Sequence, residues 1–189
     1  MKKLALASMV LVTLGMASVA GAQTVAGSGT VNFEGSIVDD SCILLVEGSQ
    51  NNGGSHLVLM NDVSKFALGT EDAPKAGKMT QVGANVDLTL ECTGPQDLSV
   101  TFAAGPAGVS GKSLAVQGGA QNGQLTLLRS DDSVLDFSTG TAEITGIDYV
   151  GGKFTLPMTA YYTLADGKAA ADVVSGVANS SMTYTISYQ

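Results

Sequence analysis

Apolar and polar residues trade places one by one along much of this chain. The final stretch, Met182-Thr183-Tyr184-Thr185-Ile186-Ser187-Tyr188-Gln189, alternates without a break, the period of a strand with one face buried. A second such stretch, Thr30-Val31-Asn32-Phe33-Glu34-Gly35-Ser36-Ile37, follows a leader at 23–29 of flexible, Gly- and Ser-containing composition. Between them, Val86, Leu88 and Leu90 alternate with Asp87, Thr89 and Glu91, and Leu98, Val100 and Phe102 with Ser99 and Thr101. Phe154, Leu156, Met158, Ala160 and Tyr162 share one parity. Weaker strand candidates fall at 56–60, 114–117, 124–128, 134–137 and 142–150, with Gly-rich or polar turns at 51–55, 105–111, 118–123, 130–133 and 151–152. Short strands at this spacing predict an all-β sandwich or barrel. Helix signal is confined to a turn or two at 168–174; the stretch 70–78 carries Pro74 and Gly77 and reads as a loop. Pro157 has no N–H for a ladder and belongs at an edge, a bulge or a strand switch. The terminal strand carries a further expectation. An edge strand with nothing beyond it leaves a row of backbone groups unpaired, and the alternating stretch at the other end is suited to complete that edge in another copy.

The first residues change the picture of where such a molecule resides. Lys2 and Lys3 precede an apolar run at 4–12, and Ala20-Gly21-Ala22 fits a cleavage site, so 1–22 reads as a secretory signal and the mature chain as starting at Gln23. Ser8, Thr13, Gly15 and Ser18 interrupt the apolar run too early for a membrane span. The remaining 167 residues suit one domain. Without Lys2 and Lys3, seven basic side chains face seventeen acidic ones, a net charge of −10. That field disfavours nucleic acid and anionic membrane. In an oxidising compartment the two cysteines, Cys42 and Cys92, are expected to form a disulfide, which stabilises by about 4 kcal/mol in the chain-entropy account.

Catalytic chemistry has little to draw on. His56 is the single histidine, and no serine sits in a Gly-x-Ser-x-Gly elbow; a metal site built on several imidazoles is out of reach of one chain. Gly111-Lys112-Ser113 superficially suggests a phosphate-binding loop. Gly105 lies one residue too far upstream, however, and Pro106 stands where a glycine amide is required, so the stretch reads as a turn between strands. The adjacent pairs Asp39-Asp40 and Asp131-Asp132 are poor acid–base dyads, because neighbouring side chains point apart. Asn179-Ser180-Ser181 matches a glycosylation triplet within the C-terminal segment. No enzyme activity, cofactor or metal is expected.

Three stretches and their order carry a resemblance. Gly29-Thr30-Val31-Asn32-Phe33-Glu34-Gly35-Ser36-Ile37-Val38 precedes Cys42; Val86-Asp87-Leu88-Thr89-Leu90-Glu91 runs into Cys92; Leu156-Pro157-Met158-Thr159-Ala160-Tyr161-Tyr162 is followed by Gly176, fourteenth from the end, and by a last strand with Tyr188 next to last. In these features the mature chain resembles pilin subunits of the chaperone–usher class, in outline the major type 1 fimbrial shaft subunit. One departure is Asn61, where relatives often carry glycine after the strand ending Leu57-Val58-Leu59-Met60.

The resemblance implies an immunoglobulin-like sandwich, 39–189, that lacks its seventh strand, preceded by a donor extension, 23–38. It implies that Gly29, Val31, Phe33, Gly35 and Ile37 of one copy enter pockets of the next, and that Gly176, Met182, Tyr184, Ile186 and Tyr188 line or flank the acceptor groove. The implied partners are identical or related pilin subunits, a periplasmic chaperone and an outer-membrane usher, with the fibre at the cell surface supporting adhesion. Such β-augmentation draws affinity from main-chain hydrogen bonds and selectivity from alternate side chains, and a head-to-tail contact grows a filament. The competing expectation is a secreted monomeric sandwich that binds carbohydrate or protein. The absence of Trp and the small aromatic count give that reading little to build on.

Overall fold

The computed structural model describes residues 42–47, 49–52, 55–93, 98–147 and 152–188. These residues all fall in the compact unit Val38–Gln189. Thirteen strands follow in order: β1 (Cys42–Glu47), β2 (Ser49–Asn52), β3 (Ser55–Val58), β4 (Ala84–Asn85), β5 (Asp87–Cys92), β6 (Leu98–Ala104), β7 (Val109–Ser110), β8 (Ser113–Ala115), β9 (Gly123–Arg129), β10 (Thr141–Ile144), β11 (Lys153–Leu156), β12 (Met158–Leu164) and β13 (Met182–Tyr188). The helical content among them is two single 3₁₀ turns, Lys65–Ala67 and Ala170–Asp172, the second inside the stretch that the sequence marks as helical.

One long antiparallel ladder organises the first layer. Asn85 pairs with Thr159 in the β4–β12 contact, and three steps on along both strands Leu88 pairs with Leu156 in the β5–β11 contact. The register is therefore continuous, and it is interrupted opposite Asp87 by Pro157, which has no N–H to give. The Val86 amide resumes the bonding at the Met158 carbonyl, 2.8 Å away. On one side of the interruption the ladder joins β1 through β5; on the other it joins β9, β8 and β7 through β12. The proline thus sits at a strand switch, where one apolar parity is handed from one sheet to the next. A second layer has the order β10-β6-β13. The hairpin β2–β3 forms a separate two-stranded piece.

The inward residues of both layers meet in one core: Val86, Leu88 and Leu90 against Leu98, Val100 and Phe102, with Leu114, Leu127, Leu135, Phe137, Ala142, Ile144, Met158 and Ala160. Parity explains this set, because β5 and β6 bury alternate apolar positions. Two sequence expectations are corrected. Residues 134–137 form no strand. Asp131 accepts from the Ser133 amide at 3.0 Å and Asp136 from the Ser138 amide at 2.8 Å, so local side-chain bonds turn the backbone on either flank of this segment. Only isolated bonds remain, Leu135 N–H to Leu127 O at 2.9 Å and Phe137 N–H to Lys112 O at 3.0 Å. The segment at 142–150 likewise yields strand only at Thr141–Ile144, and 148–150 lie outside the described residues.

The path into β13 is set by a glycine. Segment 174–179 lies along 117–121 through bridges Gln117–Asn179, Gly119–Val177 and Gln121–Val174. A Cβ on Gly176 would stand 2.7 Å from the Ala120 nitrogen and 2.7 Å from the Gly119 carbonyl carbon, closer than any side chain can come. Three bonds then hold the approach: Ser180 Oγ donates to Ala115 O at 2.9 Å, the Gly105 amide to Ser181 O at 2.9 Å, and the Tyr162 hydroxyl to Ala178 O at 2.7 Å.

Phe102 has no exposure, so Phe102→Ala is expected to cost about 3–5 kcal/mol in urea-unfolding measurements. Gly176→Val is expected to cost about 1–3 kcal/mol by overpacking and to accelerate amide exchange at Gln117 and Asn179, whose mutual bonds are both 2.8 Å.

Candidate functional site

The C-terminal strand has one edge without a ladder partner among the described residues. β13 pairs on one side with β6 over its whole length, Met182 opposite Ala104 through Tyr188 opposite Leu98. Its other side has no ladder partner among the described residues. Residues 182–188 contain no charge and no proline, the usual devices by which an edge strand is blunted. Alternation sets its faces: Met182, Tyr184 and Ile186 are half-buried against the core, while Thr183, Thr185 and Ser187 are exposed.

Beside this edge a cleft of about 900 Å³ opens between the layers. One wall is 55–60, on and after β3; the other is 178–184, leading into β13. Its floor is the core itself, reached at Leu88, Phe102, Leu114, Leu127 and Ala160, none more than 3% exposed. Val58 and Met60 on one wall and Met182 and Tyr184 on the other are only half covered. Leu57 and Leu59, at 55% and 66%, are among the most exposed large apolar residues described. An unpaired backbone edge and uncovered apolar side chains thus coincide, and one added strand would satisfy both. Tyr162 also lines the cleft; burial, with a smaller contribution from Asp62, raises its phenol above the usual range.

Of the residues singled out from sequence, Met182 and Tyr184 line this cleft, and Ile186 is half-buried further along the same face. Tyr188 lies opposite Leu98 at the strand's end. Gly176 does not line the cleft; it holds the approach to β13 against Gly119. Cys42 and Cys92 are directly opposite in the β1–β5 ladder, and no cysteine among the described residues is free. Gly29, Val31, Phe33, Gly35 and Ile37 lie outside the described residues, as do the signal stretch 1–22, the rest of the 23–38 extension and Asp39-Asp40. The wall at 56–60 was marked only as a strand: His56-Leu57-Val58-Leu59-Met60 is apolar on both parities, so periodicity could not say which side faces the cleft.

The alternative chemistries have definite placements. Gly111-Lys112 is the turn between β7 and β8, Ser113 opens β8, and the Lys112 amide is already bonded to Glu71 Oε2 at 2.9 Å. Gln124 Nε2 donates to the same oxygen at 3.2 Å, so a carboxylate stands where a phosphate would have to sit. Asp132 pairs with Lys75 at 2.7 Å on the surface, and Asp131 accepts from Ser133. Among the described residues, no group of three or more His, Cys, Asp or Glu could hold a metal ion, and no helix is long and apolar enough to cross a membrane.

Comparison with known proteins agrees with this geometry. No family model matches the chain. The S-fimbrial protein subunit SfaA of Escherichia coli O6:K15:H31 (strain 536) is 27% identical over 195 residues, covering 100% of this chain and 99% of that protein. The fimbrial-like protein YcbV of Escherichia coli K12 is 27% identical over 171 residues, covering 89% and 90% of the two chains. Among solved structures, a chain of a chaperone–usher pilus, described in connection with rod uncoiling, aligns over 89% of this chain and 100% of its own length with a TM-score of 0.55 and 18% identity. The fold is therefore the immunoglobulin-like sandwich expected from the sequence, and the chain is similar in sequence to fimbrial proteins of Escherichia coli and in fold to a chain of a chaperone–usher pilus.

Proposed function

We propose that this chain is a structural subunit of a surface pilus, and that copies join head to tail when residues 23–38 of one are laid along the open edge of β13 in the next. The observation that carries this reading is the coincidence of that edge with an apolar cleft reaching the core. In the resulting register Val31, Phe33 and Ile37 supply an apolar face, each contributing about 1.5–3 kcal/mol on burial, with Gly35 at a shallow place. Main-chain bonds to β13 add about 0.5–1.5 kcal/mol apiece. Because the donor and the acceptor are different surfaces, the contact does not close on itself and extends a filament.

The same edge explains the remaining partners. Before assembly an uncovered apolar cleft and a free strand edge invite aggregation, so a periplasmic chaperone covers the groove and an outer-membrane usher receives the subunit; 1–22 directs export. Residues Cys42 and Cys92 form a bridge, supported by their register opposite one another, that ties β1 to β5.

Surface extract of the native chain is expected to give a ladder in unheated detergent gels that collapses to monomer on boiling, since separation requires crossing a high unfolding barrier. Deleting 23–38 is expected to abolish the ladder while chaperone binding persists; a truncated chain that still assembles refutes strand donation. Phe33→Asp, which carries a carboxylate into an apolar cleft, should remove the ladder as fully as the deletion does. Replacing both cysteines by serine is expected to lower stability to urea by about 2–5 kcal/mol without changing the identity of the donated strand.

A further inference from the structure

A second sheet edge, on β12, is closed by a side chain. β12 pairs with β9 along its whole length, and its alternate residues Met158, Ala160, Tyr162 and Leu164 find their partners on the other side. The Val86 amide donates to Met158 O at 2.8 Å, Ala84 of β4 stands opposite Ala160, and the Leu164 amide donates to Gly69 O at 2.8 Å. The register that sets Asn85 against Thr159 and Ala84 against Ala160 would bring Val82 to Tyr162. Val82 is instead 73% exposed, and Gln81 takes its place. Gln81 Nε2 donates to Tyr162 O at 2.8 Å, and Gln81 Oε1 accepts from the Tyr162 amide at 3.0 Å. One carboxamide thus makes both bonds that a paired residue exchanges with its partner in an antiparallel ladder.

The point at which the backbone leaves this ladder is fixed by close approach. A Cβ on Gly83 would stand 2.5 Å from Thr159 Cγ2 and 2.6 Å from the Tyr161 ring, so residue 83 lies against β12 where no side chain fits. Further along the edge, Gly69 bridges Thr163 in parallel. The edge is therefore assembled from β4, one carboxamide and one loop carbonyl. β13 contrasts with it, since its outer side has no ladder partner among the described residues. An edge with open N–H and C=O groups accepts a foreign strand, so a chain that assembles by strand addition needs one such edge and not two.

We propose that Gln81 is a specificity-determining residue for assembly: by satisfying Tyr162 it denies the donated strand a second landing place and restricts it to β13. The inference rests on the strand-donation reading. Without the carboxamide, the Tyr162 N–H and C=O stand unpaired between two short supports, the two residues of β4 and the single bridge at Gly69. An extended segment that displaced those supports would gain a continuous run of main-chain bonds. A subunit that accepts two donors no longer grows a single line of copies; it branches the filament or ties neighbouring filaments together.

The test uses washed polymer of the processed full-length chain, to which a synthetic peptide of residues 23–38 is added in excess and the bound peptide counted per subunit. In native polymer the β13 edges are occupied by neighbouring copies, and the peptide finds only filament ends. Gln81→Leu, close in volume and unable to bond Tyr162, is expected to bind about tenfold more peptide and to exchange the Tyr162 amide about tenfold faster, with branched or laterally joined fibres by electron microscopy. A lysine beside the gap discourages strand addition without restoring any bond. Gln81→Leu combined with Val82→Lys should therefore return peptide binding and fibre shape to native while Tyr162 exchange stays fast, a result that loosening of the fold alone does not give. Native-like peptide binding in Gln81→Leu overturns the proposal, and so does excess binding that Val82→Lys leaves in place. Gln81→Glu keeps an acceptor for the Tyr162 amide and loses the donor to its carbonyl, and the same criteria apply to it if the leucine variant yields no polymer. Polymer formed by a chain lacking 23–38 sinks the strand-donation reading itself; dependence on 23–38 with native behaviour of the Gln81 variants sinks only this inference.

Discussion

The described structure is organised around a strand that is bonded on one side. Every residue of β13 is paired to β6, while its other side has no ladder partner among the described residues and lies beside an apolar cleft. Either feature alone would be ordinary. Solvated edges are tolerated where the neighbouring side chains are polar, and exposed leucines are tolerated where no edge invites a partner. Their coincidence means that a single extended peptide would satisfy both, over a floor made of the core residues Phe102, Leu114 and Leu127.

Much of the remaining architecture serves to hold this edge in place. Pro157 breaks a single long ladder without altering its register, so one pair of strands supports two sheets and the layers stay stacked while they diverge. Gly176 brings 174–179 to within backbone contact of Gly119, and the hydroxyls of Tyr162 and Ser180 secure the turn into β13. A polar row, Ser113–Thr126–Thr163, bonded in sequence at 2.7 Å each, crosses the first layer and is fully buried. Because all three groups are satisfied, the row fixes the alignment of β8, β9 and β12 with little desolvation penalty. The strand edge is thus presented on a rigid support, which reduces the ordering that a partner strand must impose.

The cleft also has a chemical character that net charge conceals. The chain is acidic overall, yet among the described residues the cleft lining contains no carboxylate and no lysine or arginine. Net negative charge gives copies a long-range repulsion, while the described lining of the cleft carries little charge that would need removal from water on covering. The surface ion pairs stay solvated and contribute little.

What the residues alone determined was the type and parity of the strands. Period-two alternation in 86–92, 98–102, 154–162 and 182–188 specifies which side chains turn inward, because successive Cβ atoms in a strand point to opposite faces, and nearly all of those positions entered the core or the cleft. The order of cysteines, Pro157, Gly176 and the final strand was enough to indicate the sandwich. Local pattern could not tell which strand edge would remain open, since pairing joins residues far apart in the chain and depends on which neighbours arrive first at each edge. It could not orient 56–60, where both parities are apolar, nor foresee that Asp131 and Asp136 would bond the Ser133 and Ser138 amides and turn the backbone on either flank of 134–137. The wall opposite β13, the meeting of His56 with Tyr184 and the role of Gly176 in guiding the chain were decided by tertiary structure, because each is a contact between segments whose separation along the sequence carries no signal of their proximity in space.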